Sequence, residues 1–180
     1  MEDLREIVKS QKNCNSDNTE KLARIQKRIA MFKKYVDEFY NLVLHDWLKP
    51  IADDGNLTSH KEQIFITELT GEYKVSALYV SMGNISLYFK PIGTDLIGTF
   101  GRIDMYVNGN NDPAMFILAG ERAKYPRIVT QVWVEGEPKP KLPEPEDMGK
   151  TVWKYVDRNG RIRYVSLNAK TFQDIIVNRL

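Results

Sequence analysis

The stretch LARIQKRIAMFKKYVDEFYNLV, residues 22–43, decides the fold, because it fixes one long helix ahead of everything else in the chain. Its apolar residues step by three and four in strict alternation, at Leu22, Ile25, Ile29, Phe32, Val36, Phe39 and Val43. This is the a/d pattern of a heptad repeat, which predicts a helix with one apolar seam.

We expect this helix to span residues 18–49 and to end at Pro50. A shorter helix is predicted over residues 2–12, and the polar run at 13–18 predicts a break between the two. The long helix would extend about 50 Å, so either part of it protrudes or the first helix folds back along it. Extra apolar residues widen its second half, which predicts docking of that half on a sheet. The first half is expected to pack on another helix, from this chain or from a second subunit.

The period of the apolar residues changes to two between about residue 63 and residue 167. Strands are predicted at residues 64–69, 73–82, 85–90, 102–107, 114–118, 127–134, 151–156 and 161–167. Asn159-Gly160 predicts a two-residue type I′ turn in the last hairpin. Asn168 is expected to cap a final helix that buries Phe172, Ile175 and Ile176.

The order of these elements predicts an α+β fold with an antiparallel sheet of six to eight strands, because no helices separate the strands. One domain over residues 1–180 accounts for the chain. Within it we expect a helical region at 1–50, a meander at 51–135, a Pro-rich connector at 136–150, and a hairpin with a C-terminal helix at 151–180. The connector favours a stiff spacer over a peptide ligand for another domain.

Composition predicts a soluble, cytoplasmic protein with no membrane partner. The 180 residues are 42% hydrophobic and 28% charged, with a net charge of +2, as in ordinary globular domains. The N-terminal residues MEDLREIVKSQKN lack the apolar core of a secretory signal, and no run approaches the ~20 apolar residues of a membrane span. Cys14 is the only cysteine, so no internal disulfide is expected.

The residue types that carry chemistry are sparse, and the sequence predicts no catalytic residue, no metal site and no cofactor. His45 in the long helix and His60 in a polar loop lack further ligands at a metal-site spacing. Asp104 shares one face of a strand with Arg102 and Tyr106. That face is either a polar cleft with acid–base potential or, as we favour, the solvent side of the sheet.

Two functions remain open besides the one that we favour. A small-ligand-binding or enzymatic domain would need a pocket between the helix and the sheet. Nucleic-acid binding would use the basic helix residues 21–34 and the basic, aromatic hairpin, but the pI of about 8.5 is low for that class.

We favour a non-catalytic module that binds another protein, such as a regulator, an adaptor or a toxin-neutralising immunity protein. The terminal hairpin is rich in the residue types that dominate protein interfaces. The predicted partner-binding residues are Trp153, Tyr155, Arg158, Arg161, Arg163 and Tyr164. Alternation along the strands means that the pairing register decides which of them face outward.

Overall fold

One long helix lies against a seven-stranded sheet, and a short helix follows at the C-terminal end. The computed structural model describes residues 4–69, 71–94, 99–126 and 150–180, with side chains described from residue 19 onward. The strands follow one another across the sheet in sequence order, each antiparallel to the next. The predicted α+β fold, with six to eight antiparallel strands, is therefore confirmed.

The bounds of the elements agree with the predictions over most of the described chain. In order they are α1 (Leu4–Leu42), a π-helical turn (Val43–Trp47), α2 (Lys49–Asp53), β1 (Leu57–Glu68), β2 (Gly71–Met82), β3 (Ile85–Gly93), β4 (Gly101–Val107), β5 (Ala114–Gly120), β6 (Thr151–Asp157), β7 (Arg163–Ser166) and α3 (Ala169–Val177). The strand predicted at 127–134 and residues 136–149 of the predicted connector lie outside the described residues.

The predicted break at residues 13–18 is wrong, because α1 runs without interruption over 39 residues. Asn, Ser and Asp each cost at most about 0.7 kcal/mol in a helix, and no proline is present to remove a backbone hydrogen bond. Once a helix has formed on both sides, propagation through such residues is less costly than a second nucleation. At about 1.5 Å per residue α1 extends roughly 58 Å.

The predicted exit at Pro50 is also wrong. The Leu48 N–H donates to the carbonyl of Val43 at 2.9 Å, which closes a π-helical turn. Leu48 then leaves helical geometry with φ −106° and ψ 7°, and Pro50 lies in the first turn of α2. Proline suits that position, because its missing N–H would have no helical partner there.

Strand β1 begins at Leu57, seven residues before the strand predicted at 64–69. Its pairing with β2 runs without a shift from Leu57 opposite Met82 to Glu68 opposite Gly71. His60, predicted in a loop, therefore lies in a strand opposite Tyr79. The first half of this strand was not predicted because its side chains are mostly polar. An edge strand buries little of its surface, so it can form without alternating apolar residues.

The apolar seam of α1 supplies one side of the core. Phe32, Val36, Phe39 and Val43 are at most 1% exposed, whereas Leu22 is 58% exposed. The prediction that the second half of the helix docks on the sheet is confirmed. The first half extends the helix beyond this core.

Tyr40 bonds to two neighbouring strands at the place where they separate. Its hydroxyl donates to the carbonyl of Ser76 in β2 at 2.9 Å and lies 3.5 Å from the carbonyl of Phe89 in β3. Pairing between these two strands begins only at Leu78 opposite Phe89. The burial of β2 side chains shifts nearby, from odd positions such as Val75 to even positions such as Leu78.

The terminal hairpin forms, but the predicted two-residue type I′ turn is wrong. Pairing ends at Asp157 opposite Arg163, so residues 158–162 connect the strands. Gly160 has φ 86°, whereas Asn159 does not have the positive φ that a type I′ turn requires. The Asp157 carboxylate accepts from the Asn159 N–H at 3.0 Å and from Arg163 Nε at 2.7 Å, and these bonds hold the longer loop.

Replacing Gly160 with valine is expected to lower the free energy of unfolding by about 1–2 kcal/mol, the cost of left-handed backbone for a residue with a Cβ. No atom lies within 4 Å of the added Cβ, so backbone strain is the whole cause. Denaturant unfolding measures the change. Gly160→Asn is the control, because Asn tolerates positive φ, and equal losses for both variants would contradict the explanation.

Candidate functional site

An open cleft of about 1150 Å³ lies between the terminal hairpin, the loop after β4 and helix α3. We call it the terminal cleft. Its lining includes Asn110 and Asp112 from the loop, Tyr155, Arg158 and Arg163 from the hairpin, and Arg179 after α3. The α3 cap positions the third wall: the Asn168 side chain accepts from the Thr171 N–H at 2.9 Å, as predicted.

Three of the six residues predicted to bind a partner meet in this cleft: Tyr155, Arg158 and Arg163. Trp153 instead lies in the core, 8% exposed, and its indole N–H donates to the Tyr35 carbonyl at 2.9 Å. Trp153 and Tyr155 face the same side of β6, and Trp153 is buried because α1 covers its part of that side, with Phe39 5.2 Å from its ring centre.

The other two predicted residues lie outside the cleft lining. The guanidinium carbon of Arg161 is 5.0 Å from the ring centre of Tyr125, in the loop after β5. Tyr164 packs on a second, smaller apolar cluster of Ile117, Ala119 and Val156. Burial raises the pKa of the Tyr164 phenol above its ordinary value. The hairpin thus has two sides, of which one opens to the cleft.

Ion pairs hold the hairpin side of the cleft in shape. Arg158 Nη2 lies 2.5 Å from Asp112 Oδ1, which ties the hairpin loop to the loop after β4. Arg163 lies 2.7 Å from Asp157, whose side chain is only 10% exposed. The Asn159 N–H, followed by the Arg163 guanidinium, lowers the pKa of the Asp157 carboxyl, so this acid stays ionised at neutral pH.

Arg179 is a cleft residue that the sequence did not predict. Its Nη2 lies 3.3 Å from the Tyr155 hydroxyl, and its guanidinium carbon lies 5.7 Å from the centre of that ring. Its Nε is buried and has no hydrogen-bond partner among the described residues. Arg179 lies two residues past the end of α3, so no helical spacing marks it in the sequence.

Asp104 lies neither in an open cleft nor on a solvated face. It is 3% exposed and accepts two hydrogen bonds from Arg102, at 2.7 and 2.8 Å. Burial, followed by the Asp104 charge, raises the pKa of the nearby Tyr106 phenol. The favoured reading of a solvent-facing acid is therefore wrong, because both oxygens of this carboxylate are engaged in a buried pair.

A ladder of four aromatic rings crosses the outer face of the sheet, from His60 through Tyr79 and Tyr88 to Tyr106. Successive ring centres lie 4.7, 4.5 and 5.9 Å apart, and each pair is stacked. Burial, followed by hydrogen bonding to Tyr79, raises the pKa of Tyr88 to about 12. The inner rings stack on one another, so the ladder offers a ligand mainly edges and hydroxyl groups.

Between α1 and the sheet the described side chains fill the space. The cavity there, lined by residues such as Met31, Phe32 and Phe100, measures about 10 Å³. A single water needs about 10–15 Å³. This cavity is too small for a ligand.

Three basic side chains are engaged within the protein: Arg28 and Lys33 of α1, and Lys154 of the hairpin. Arg28 donates to Thr94 at 3.2 and 2.8 Å, and the Lys33 ammonium lies 5.8 Å from the ring centre of Tyr73. Lys154 is 3% exposed and donates to the carbonyls of Glu121 and Ala123. Burial lowers the pKa of the Lys154 ammonium. These cations contribute little to a surface for phosphates.

Within the described ranges, no three residues of the types that ligate metals are placed to hold an ion. The helices of the same ranges include none long and apolar enough to cross a bilayer. No protein-family model matches the chain, and no curated protein or solved structure shows significant similarity to it.

Proposed function

We propose that the protein is a non-catalytic, cytoplasmic protein-binding module that receives its partner in the terminal cleft. The observation that carries the proposal is the cleft's lining of three arginines around Tyr155. Arginine and tyrosine are among the residues that contribute most to protein interfaces, since they bury large areas and still offer polar groups. Regulators, adaptors and toxin-neutralising immunity proteins work through such surfaces.

One arginine of the cleft, Arg179, favours a partner that carries a carboxylate. Asp112 and Asp157 already neutralise Arg158 and Arg163. Arg179 lines the cleft, is half-buried and forms no ion pair among the described residues. A partner carboxylate placed there would gain charge-assisted hydrogen bonds to a guanidinium that Tyr155 already orients.

Engagement of Asp104, Lys154 and Arg28 within the fold supports this function over the two alternatives. An enzyme acting through Asp104 would have to reach a carboxylate that Arg102 holds on both oxygens. A small-ligand site between α1 and the sheet would need space that the described side chains occupy. A surface for nucleic acid would need cations that instead bond to the protein's own groups.

The test is quantitative capture of partners from the native host on the immobilised full chain, followed by affinity measurement with the purified partner. Arg179→Ala and Arg163→Ala are each expected to weaken binding about tenfold or more, equivalent to about 1.4 kcal/mol. Lys90→Ala, which removes an exposed cation on β3, is the matched control and should bind like the wild type.

Circular dichroism confirms that each variant is folded. Equal affinity for the wild type and both cleft variants would contradict the proposed site. Turnover of a small substrate that is lost in Asp104→Asn, with the fold intact, would favour the enzymatic alternative.

A further inference from the structure

Strand β1 lies at one edge of the sheet. With β2, it is the longest of the described strands. It has 12 residues and, among the strands that the structure describes, pairs only with β2, in a register without bulges. An edge strand presents a row of backbone N–H and C=O groups that can pair with another strand.

The contact of Tyr40 shows which backbone groups of β1 point outward. Its hydroxyl reaches the Ser76 carbonyl from the side of β3, since it also lies near the Phe89 carbonyl. The backbone N–H and C=O of Ser76 therefore point away from β1. In an antiparallel ladder the backbone groups of the opposite residue, Gln63, must then point away from β2. This direction alternates along the strand. The residues whose backbone N–H and C=O point outward, which we call the outward-pointing residues, are Leu57, Ser59, Lys61, Gln63, Phe65 and Thr67.

A second bond supports this assignment independently. The Ser86 carbonyl accepts from the Asn108 N–H at the end of β4. The backbone groups of even-numbered residues of β3 thus face β4, and those of odd-numbered residues such as Phe89 face β2. Leu78, opposite Phe89, faces β3, so Lys61 opposite Leu78 faces outward.

The two edges of the sheet differ. Strand β7 has only four residues, and the Tyr164 N–H donates to the Lys124 carbonyl at 2.8 Å. No described residue outside β2 forms a backbone hydrogen bond with Leu57–Thr67. Within the described part of the chain, one edge of the sheet is therefore short and covered, whereas the other is long and open.

Common features that protect edge strands are absent from β1. It contains no proline, and the ammonium of Lys61 does not guard the edge. That group lies 3.0 Å from Asp37 of α1 and 5.5 Å from the ring centre of Tyr40. Phe65, an outward-pointing residue, is 60% exposed.

We propose that β1 pairs antiparallel with β1 of a second copy of this chain, about a two-fold axis at Gln63. To form hydrogen bonds, an outward-pointing residue of one copy must lie opposite an outward-pointing residue of the other. Since these residues alternate along β1, the two-fold axis passes through a residue and not between two. An axis at Lys61 or at Glu62 would oppose like charges. An axis at Gln63 opposes no like charges, and it sets Lys61 opposite Phe65 of the copy.

Self-pairing also matches the length of the strand. With the axis at Gln63, Thr58 faces Glu68 of the copy, so nearly all of β1 takes part. The same patch serves both subunits, as two-fold interfaces require, and the two sheets become continuous.

The test is sedimentation equilibrium of the purified full chain over a concentration series. We expect a reversible dimer at twice the chain mass of 20.9 kDa. Gln63→Pro removes one outward N–H without removing a bond to β2, and it should raise the dimer dissociation constant at least about tenfold. Gln63→Ala, which also loses the 2.7 Å side-chain bond to Ser76 but keeps the N–H, should dimerise like the wild type.

A second pair of variants tests the register and does not depend on proline being tolerated. Phe65→Lys sets a lysine opposite Lys61 of the copy and should weaken the dimer, whereas Phe65→Glu should preserve or tighten it. A wild type that stays monomeric throughout would overturn the proposal and leave this edge to an extended segment of a different protein. A dimer that is insensitive to folded Gln63→Pro and Phe65→Lys would also overturn it, and loss of that dimer in Leu22→Asp would place the contact on α1.

Discussion

Replacing Phe39 with alanine is expected to lower the free energy of unfolding by about 3–5 kcal/mol, the largest loss among single changes considered for this protein. Phe39 is fully buried in the apolar seam of α1. Its ring centre lies 5.2–6.3 Å from those of five other aromatic residues, which are Tyr40, Trp47, Phe89, Phe116 and Trp153. These rings come from α1, the π-helical turn and three strands, so no local shift can close the cavity.

Urea unfolding followed by circular dichroism measures this loss. Val177→Ala is the control, because it removes an apolar side chain from a site that is 65% exposed, and its effect should stay within about 0.5 kcal/mol. Comparable losses at the two sites would mean that α1 does not dock on the sheet through Phe39.

Stability at high pH is expected to depend strongly on Tyr40. Burial, followed by the charge of Asp37, raises the pKa of its phenol well above the ordinary value of 10.0. The folded state therefore keeps this proton while the unfolded state loses it, so the stability contributed by Tyr40 is full below pH 10 and falls as the pH rises. From about pH 10 to about pH 11.5 the loss is about 2 kcal/mol.

The variant Tyr40→Phe separates this effect from other groups that titrate at high pH. At neutral pH the variant should be about 1–2 kcal/mol less stable, because the Ser76 carbonyl loses its hydrogen bond. Above pH 10 the wild type loses stability faster, so the two curves of unfolding free energy against pH should converge. Parallel curves up to about pH 11.5 would show that the phenol titrates normally.

Local patterns in the sequence were sufficient for the parts of the fold that depend on neighbouring residues. The heptad spacing from Leu22 to Val43 located the helix, and its wider second half identified the part that docks. Asn168 capped α3 as predicted, and Phe172, Ile175 and Ile176 are buried. Each of these features follows from spacing along one element.

Features that depend on contacts between distant residues could not be predicted from the sequence. Arg158 pairs with Asp112 across 46 positions, and nothing local marks that partnership. Trp153 and Tyr155 share one side of β6, but only the contact of Trp153 with Tyr35 in α1 decides which is buried. The break predicted at 13–18 failed for a different reason, since residues that favour turns cost a long helix little.

Site-specific photo-crosslinking in the native host tests the central claim, partner binding in the terminal cleft, most directly. The crosslinking amino acid replaces Asn178, an exposed residue of the cleft lining, or Ser81, an exposed residue of β2 four strands from β6. We predict one discrete protein adduct from position 178, its loss when Arg179→Ala is added, and none of that adduct from position 81. No protein adduct from position 178, or the same adduct from both positions, would contradict the account.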